Sequence, residues 1–116
     1  MSLIKTYQNR GLTKRLTMKD ANGDVIRCEG GDKVRVRIQR MGETPQLEVV
    51  SGSPTVNGTK LTPAKVGGNS YSTLRLDDND LDFAPGIYSF LFDYFDADDS
   101  EEWKNVDRQV FILEES

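Results

Sequence analysis

Apolar and polar residues alternate with a period of two along most of this chain. The clearest case is segment 33–40, where Val34, Val36 and Ile38 share one side and charged or amide residues the other. Successive side chains of a β-strand point to opposite faces, so the pattern predicts a strand with one buried face. The same alternation recurs in three other segments, 12–19, 46–50 and 72–76. No segment shows the 3.6-residue apolar period of a helix.

Segment 87–95 differs from the others because it is apolar on both sides. Alternate residues from Tyr88 to Tyr94 are aromatic, and Ile87, Leu91 and Phe95 fall on the opposite side. A strand that is apolar on both faces is typical of the centre of a sheet. A last strand follows at about 106–113. We expect the shared core to contain Val36, Ile38, Leu74, Leu76, Phe90 and Phe92.

Turn signals separate these strands. Asn22-Gly23 is a strong hairpin signal, with a short return strand predicted at 25–28, and Asn57-Gly58 is a second one. Such signals recur about every 8–12 residues, which is typical of a β-sandwich. The sequence therefore predicts an all-β sandwich of about eight antiparallel strands in a single domain, 1–116. Residues 1–10 are expected to be a flexible N-terminal arm or an expression leader.

Composition narrows the possible functions. The chain has one cysteine and no histidine, so it lacks both an internal disulfide and the commonest general base and metal ligand. We expect Cys28 to be a small buried hydrophobe. No segment is long and apolar enough for a membrane-spanning helix, and no signal peptide is recognised. These features predict a protein without catalytic residues, cofactor or membrane partner.

Charge is distributed unevenly along the chain. Residues 1–40 carry a net charge of +6 and the remainder −10, within an overall −4. An acidic chain argues against nucleic acid as a partner. This asymmetry allows two outcomes. Complementary patches could drive head-to-tail self-association, which would fade towards about 0.5 M salt. Alternatively, the opposite charges could neutralise each other within one molecule. The candidate interface residues are Lys33, Arg35, Arg37 and Trp103.

Two acidic segments suggest calcium, because oxygen-rich loops suit that ion. An EF-hand loop starting at Asp78 fails, since Phe83 stands where glycine is needed and Ser89 where glutamate is needed. Solvated loops are the favoured interpretation, with calcium as the alternative if both segments lie at one end of the sandwich. The weak candidate ligands are Asp78, Asp80, Asp82, Asp96 and Asp98.

Three aromatic residues near loop ends offer a different kind of site. Trp103, Phe83 and Phe95 could form a platform for a sugar or a protein, or could simply cap the end of the core.

The segment Leu81-Asp82-Phe83-Ala84-Pro85-Gly86-Ile87-Tyr88 resembles the corner before a late strand of immunoglobulin-like domains. The resemblance implies that Pro85 and Gly86 form the turn and that the Tyr88 hydroxyl bonds to backbone between Leu81 and Ala84. The chain departs from antibody domains because Phe90 occupies the position of a core cysteine and Trp103 lies in the last loop.

A second resemblance covers nearly the whole chain. Its motifs are the opening hairpin Leu16–Ile26, the segment Gly31-Asp32-Lys33-Val34-Arg35-Val36, then Leu74–Asp77, Pro85–Tyr88 and Val110–Leu113. Together they resemble small immunoglobulin-like domains of bacteriophage virion proteins, such as the N-terminal part of baseplate upper proteins and related head or tail modules.

That resemblance implies a non-enzymatic structural or assembly module of a phage or prophage virion, made in the bacterial cytoplasm. Its expected partner is protein, either a second copy in a weak homo-oligomer or another virion protein. The alternative function is an immunoglobulin-like recognition domain that binds a glycan or a host surface.

Overall fold

The computed structural model describes residues 3–51, 60–98 and 102–115. Within them the chain forms nine elements, eight β-strands and one short 3-10 helix, so the all-β prediction is confirmed. No helix in these ranges is long and apolar enough to cross a membrane. In chain order the elements are β1 (Leu3–Tyr7), β2 (Leu12–Leu16), β3 (Lys33–Gln39), β4 (Leu47–Val50), β5 (Leu61–Thr62), β6 (Ser72–Leu76), the 3-10 helix (Asp78–Leu81), β7 (Gly86–Phe95) and β8 (Trp103–Glu114).

The strands form two sheets that share one core. The larger sheet has the order β1-β8-β7-β3-β4, and the smaller has the order β2-β6-β5. The pairs are antiparallel except β1 with β8, which run parallel. The prediction of antiparallel strands throughout is therefore wrong for β1.

The core lies between the two sheets and is dominated by the aromatic residues of β7. All six residues predicted for the core are at most 2% exposed. The Phe90 ring stacks on Phe111 of β8 with centroids 6.3 Å apart, and Phe111 is itself fully buried. Cys28 is also buried, as predicted. The strand β7 is central, as predicted, with β3 on one side and β8 on the other.

The expectation of a flexible N-terminal arm is wrong for residues 3–7. This segment is β1, and its register aligns Leu3 with Val110 and Tyr7 with Glu114. Ile4 is 3% exposed within the core, while the residues on either side of it are exposed. Burial of Ile4 and pairing with β8 order the segment.

The Asn22-Gly23 turn closes a hairpin, as predicted. The amide of Asp20 donates to the Asp24 carbonyl, and Gly23 has a φ of +86°, which a glycine adopts without strain. The return segment forms isolated bridges at Val25 and Cys28 rather than a continuous strand. The second hairpin signal, at 57–58, lies outside the described residues.

The corner before β7 has the predicted geometry. Tyr88 is buried, and its hydroxyl donates a hydrogen bond to the backbone carbonyl of Ala84. The Phe83 ring meets Tyr88 edge-on, with centroids 5.1 Å apart. At Gly86, a Cβ would lie 2.6 Å from the Arg40 guanidinium, which stacks on the Tyr88 ring. Glycine at this position therefore leaves room for the arginine that covers the tyrosine.

Truncation of the central aromatic residue tests the core. Phe90→Ala is expected to lower the free energy of unfolding by about 3–5 kcal/mol, because a fully buried ring is replaced by a cavity. Urea denaturation measures the change. Met41→Ala, at a residue that is 88% exposed, is the control and should leave the midpoint unchanged. A Phe90→Ala protein that unfolds at the parent's urea concentration contradicts the assignment.

Removal of one hydroxyl tests the corner. Tyr88→Phe keeps the ring and deletes the donor to Ala84, leaving that carbonyl without its partner. We expect a loss of about 1 kcal/mol in the same denaturation measurement. Tyr71→Phe serves as the matched control, since Tyr71 lies at the start of the β6 region and is only partly buried. Equal effects of the two substitutions would remove the special role of the Tyr88 hydroxyl.

Candidate functional site

The outer face of the five-stranded sheet is the candidate functional site. We define it as the face that points away from the core, formed by alternate residues of β1, β8, β7, β3 and β4. The register places Arg37 beside Leu91 and Arg35 beside Asp93 on this face, and it places Ile87 beside Ile112. The face has two halves: a charged and aromatic half near the end of β7, and an apolar half near its start.

A buried carboxylate organises the charged half. Asp93 is 0% exposed and accepts hydrogen bonds from Arg35 Nε at 2.8 Å and from Arg37 Nε at 2.6 Å. Its other oxygen accepts from Arg37 Nη2 at 3.0 Å and from Asn105 Nδ2 at 3.1 Å. Two guanidinium groups and an amide thus satisfy both oxygens of one carboxylate.

The electrostatics of Asp93 follow from two opposing effects. Burial would raise the pKa of its carboxyl group, because a charge is poorly solvated there. Hydrogen bonds from Arg37, Arg35 and Asn105 outweigh burial and lower the pKa below its usual value. The carboxylate therefore stays ionised at neutral pH, and it neutralises charge on the neighbouring arginines.

The four interface residues predicted from the sequence do come together here. The Arg35 guanidinium lies over the Trp103 ring at 4.3 Å, and the Lys33 ammonium lies 5.3 Å from the Phe95 ring centroid. Arg37 completes the group through Asp93. The arginine side chains are only 17% and 23% exposed, so they do not form the open basic stripe that the alternation predicts.

Asp93 was not identified from the sequence as a site residue, although its position on a central strand could have indicated it. It falls on the outer side of a strand predicted to be central, two residues from Leu91 on the same face. A lone carboxylate on such a face needs a cationic partner, and the strand containing Arg35 and Arg37 supplies two.

The predicted three-ring aromatic platform is not present. Phe95 and Trp103 are in contact, with centroids 5.5 Å apart, but Phe83 packs on Tyr88 at the opposite end of β7. Tyr88 is the third of the ten residues of β7, and Phe95 is the last. The Phe95–Trp103 contact is what remains of the predicted platform on the outer face.

The apolar half of the outer face is exposed. Leu3 lies opposite Val110, and Ile87 lies opposite Ile112 two residues along β8. Ile87 is 68% exposed and Leu3 is 56% exposed, while Val110 and Ile112 are half-buried. These four residues are contiguous across three strands, and we call them the apolar patch.

The calcium candidates do not converge. The acidic segment 77–82 precedes β7 and the segment at 96–98 follows it, so the two lie at opposite ends of that strand. Lys60 donates to Asp80 at 2.5 Å and pairs with Asp77 at 3.2 Å, while Asp96 accepts from the Asp98 amide. Over the described residues, no group of three or more Asp, Glu, Cys or His side chains could hold a metal ion.

Other groups of potential chemical interest are engaged in structural contacts. An open depression of about 340 Å³ borders the start of β3 near Asp32, whose carboxylate accepts hydrogen bonds from the Tyr94 hydroxyl and the Ala97 amide. Burial, followed by the charge of Asp32, raises the pKa of the Cys28 thiol to about 11, so the thiol is protonated and unreactive at neutral pH.

Comparison with known proteins leaves the family open. No protein-family model matches the chain, and no curated protein matches it.

Neutralisation of Asp93 tests the charged half. Asp93→Asn is expected to cost about 2–4 kcal/mol of stability at pH 7, because two arginines lose the anion that accepts their hydrogen bonds. Glu43→Gln, an exposed carboxylate in the β3–β4 turn, is the control and should cost less than about 0.5 kcal/mol.

The loss of stability caused by Asp93→Asn should also depend on pH. Since the folded-state pKa of Asp93 is lowered, its contribution is complete above the unfolded-state value of about 4 and is lost as pH falls through the folded-state value. The stability difference between parent and Asp93→Asn should therefore shrink in acid. A difference that stays constant from pH 7 to pH 2 contradicts the ion-pair account.

Proposed function

We propose that this chain is an immunoglobulin-like module that acts through protein–protein contacts, as a structural or assembly component of a phage or prophage virion. It works without catalysis or a cofactor. The outer face of the five-stranded sheet is its contact surface, and the apolar patch is the part of that face that binds.

The strand order supports the immunoglobulin-like assignment. Variable-type immunoglobulin sheets place a late hairpin beside a central strand and its neighbour, as β8-β7-β3-β4 are placed here, and pair the early and middle strands in the second sheet, as β2-β6-β5 are. The Tyr88 hydroxyl bond to Ala84 resembles the tyrosine corner of that class. The parallel pairing of β1 with the last strand adds the first strand to the larger sheet.

The observation that carries the proposal is the exposure of the apolar patch. An antiparallel sheet with one solvated face normally places polar side chains on it. Here Leu3 and Ile87 face solvent from two strands, with Val110 and Ile112 between them. A chain that is only 36% hydrophobic leaves these residues outside its core, and contiguous exposed apolar surface marks an interaction site.

The virion assignment rests on the sequence motifs, and the patch is consistent with it. A component repeated many times in a particle needs each contact to be only moderately strong, because many contacts act together. A small apolar patch on a rigid sheet face meets that need. The protein partner is then another component of the particle or a further copy of the chain.

Glycan or host-surface binding is the second candidate function. The Phe95–Trp103 pair, with Arg35 stacked on Trp103, combines an aromatic ring with a hydrogen-bond donor, as sugar sites do. The two functions use opposite halves of the outer face, so single substitutions separate them. Trp103→Ala should abolish signals on a glycan array if the second function holds and should leave protein contacts intact.

Site-specific photo-crosslinking tests the proposed function. A photoreactive residue is placed at Ile87 in the full-length protein, produced together with the proteins of its own genome. Irradiation is expected to give protein adducts, because Ile87 projects from the patch. The matched control is the same residue at Val66, which is 59% exposed but lies in a turn outside the patch.

Adducts at position 87 that are missing at position 66, identified by mass spectrometry as named virion proteins or the chain itself, bear out the proposal. Equal adducts at both positions, or none at position 87, contradict it. Binding of defined sugars that requires Trp103 but not Ile87 would establish the alternative function instead.

A further inference from the structure

We propose that the apolar patch binds the same patch on a second copy of this chain, giving a two-fold dimer in which the outer faces of two five-stranded sheets pack together. This inference rests on the proposed function, since it names the partner of the same surface. The patch spans β1, β8 and β7, so the contact joins three strands of each copy.

The shape of the patch suits a copy of itself. Its four residues project from neighbouring strands of one sheet, at cross-strand positions. Sheet faces pack on each other through such interdigitating apolar side chains, at about 10 Å separation. A two-fold contact requires a surface that is complementary to itself, and apolar side chains that interdigitate from two sheet faces meet this requirement.

The charges beside the patch also favour a second copy. Lys5 and Glu114 border it on β1 and β8, paired at 3.3 Å, with side chains 51% and 42% exposed. A two-fold contact doubles every group, so a border of one sign would bring like charges together. This border carries one charge of each sign, paired within each molecule, so a second copy meets no net repulsion there. A strongly acidic or strongly basic partner would meet no surface of opposite net charge at this border.

The structure also argues against charge-driven association as the alternative to this contact. The head-to-tail hypothesis needs a free basic stripe and free acidic segments. Arg35 and Arg37 of the stripe are already paired with Asp93, and Asp77 and Asp80 of one acidic segment are paired with Lys60. These pairs neutralise opposite charges within one molecule. Self-association through the apolar patch should therefore persist at high salt, whereas charge-driven association should fade.

The size of the patch sets the expected strength. Two exposed and two half-buried side chains offer less surface than the roughly 800 Å² per partner of a standard stable interface. We therefore expect a weak dimer, with a dissociation constant of about 0.1–1 mM.

Sedimentation equilibrium from about 20 µM to 1 mM, in 0.05 M and in 0.5 M salt, tests the inference. The parent should move from monomer towards dimer with concentration, to the same extent at both salt concentrations. Ile87→Lys should remain monomeric, because it places a charge at the most exposed side chain of the patch. Val66→Lys adds the same charge at a similarly exposed residue outside the patch and should dimerise like the parent.

Leu3→Lys provides a second variant, on a different strand, and should also remain monomeric. Thermal unfolding of each variant checks that its fold is intact. If Ile87→Lys does not fold, Leu3→Lys decides the result. The inference is overturned if the parent is monomeric at 1 mM, if dimerisation vanishes at 0.5 M salt, or if Val66→Lys disrupts it as strongly as Ile87→Lys.

The crosslinking experiment separates failure of this inference from failure of the proposed function. A monomeric parent that still crosslinks from position 87 to another virion protein leaves the function standing and replaces the partner. A monomeric parent without adducts at position 87 removes both.

Discussion

Burial of β7 on both of its faces is the constraint on which the rest of this structure depends. Its inner side places Tyr88, Phe90 and Phe92 in the core, and its outer side buries Leu91 and Asp93. A strand of this kind can exist only between two others, and β3 and β8 flank it along its length. The buried carboxylate then requires cations from a neighbouring strand, which explains why β3 alternates between apolar and basic residues.

This arrangement gives the two halves of the outer face different properties. Near the end of β7, side chains satisfy one another, because Asp93 holds two arginines and an asparagine, and the rings of Phe95 and Trp103 lie beneath cations. Near the start of β7, the outer face carries the apolar patch, and the charged residues beside it, Lys5 and Glu114, pair with each other. The surface available for contact is therefore the apolar half, although the basic residues are the more conspicuous feature of the sequence.

Local patterns predicted much of the fold. The alternation in β3 and β6 identified strands and their buried residues, and Asn22-Gly23 identified a hairpin, because each depends on neighbours in the chain. Features that depend on distant residues were missed. β1 is only five residues long, and its order comes from pairing with β8, at the far end of the sequence. Likewise, the burial of Arg35 and Arg37 depends on Asp93, which lies on another strand.

The parallel pairing of β1 with β8 has a mechanical consequence. Leu3 lies at one end of the shared ladder and Glu114 at the other, since the first and last strands run side by side in the same direction. Tension applied between these two residues pulls the strands along their length in opposite senses, so their hydrogen bonds are loaded together, in shear, rather than opened one at a time. Resistance to such a load is set by the rate of forced unfolding rather than by equilibrium stability. The β1–β8 ladder is therefore the element that resists tension applied between Leu3 and Glu114.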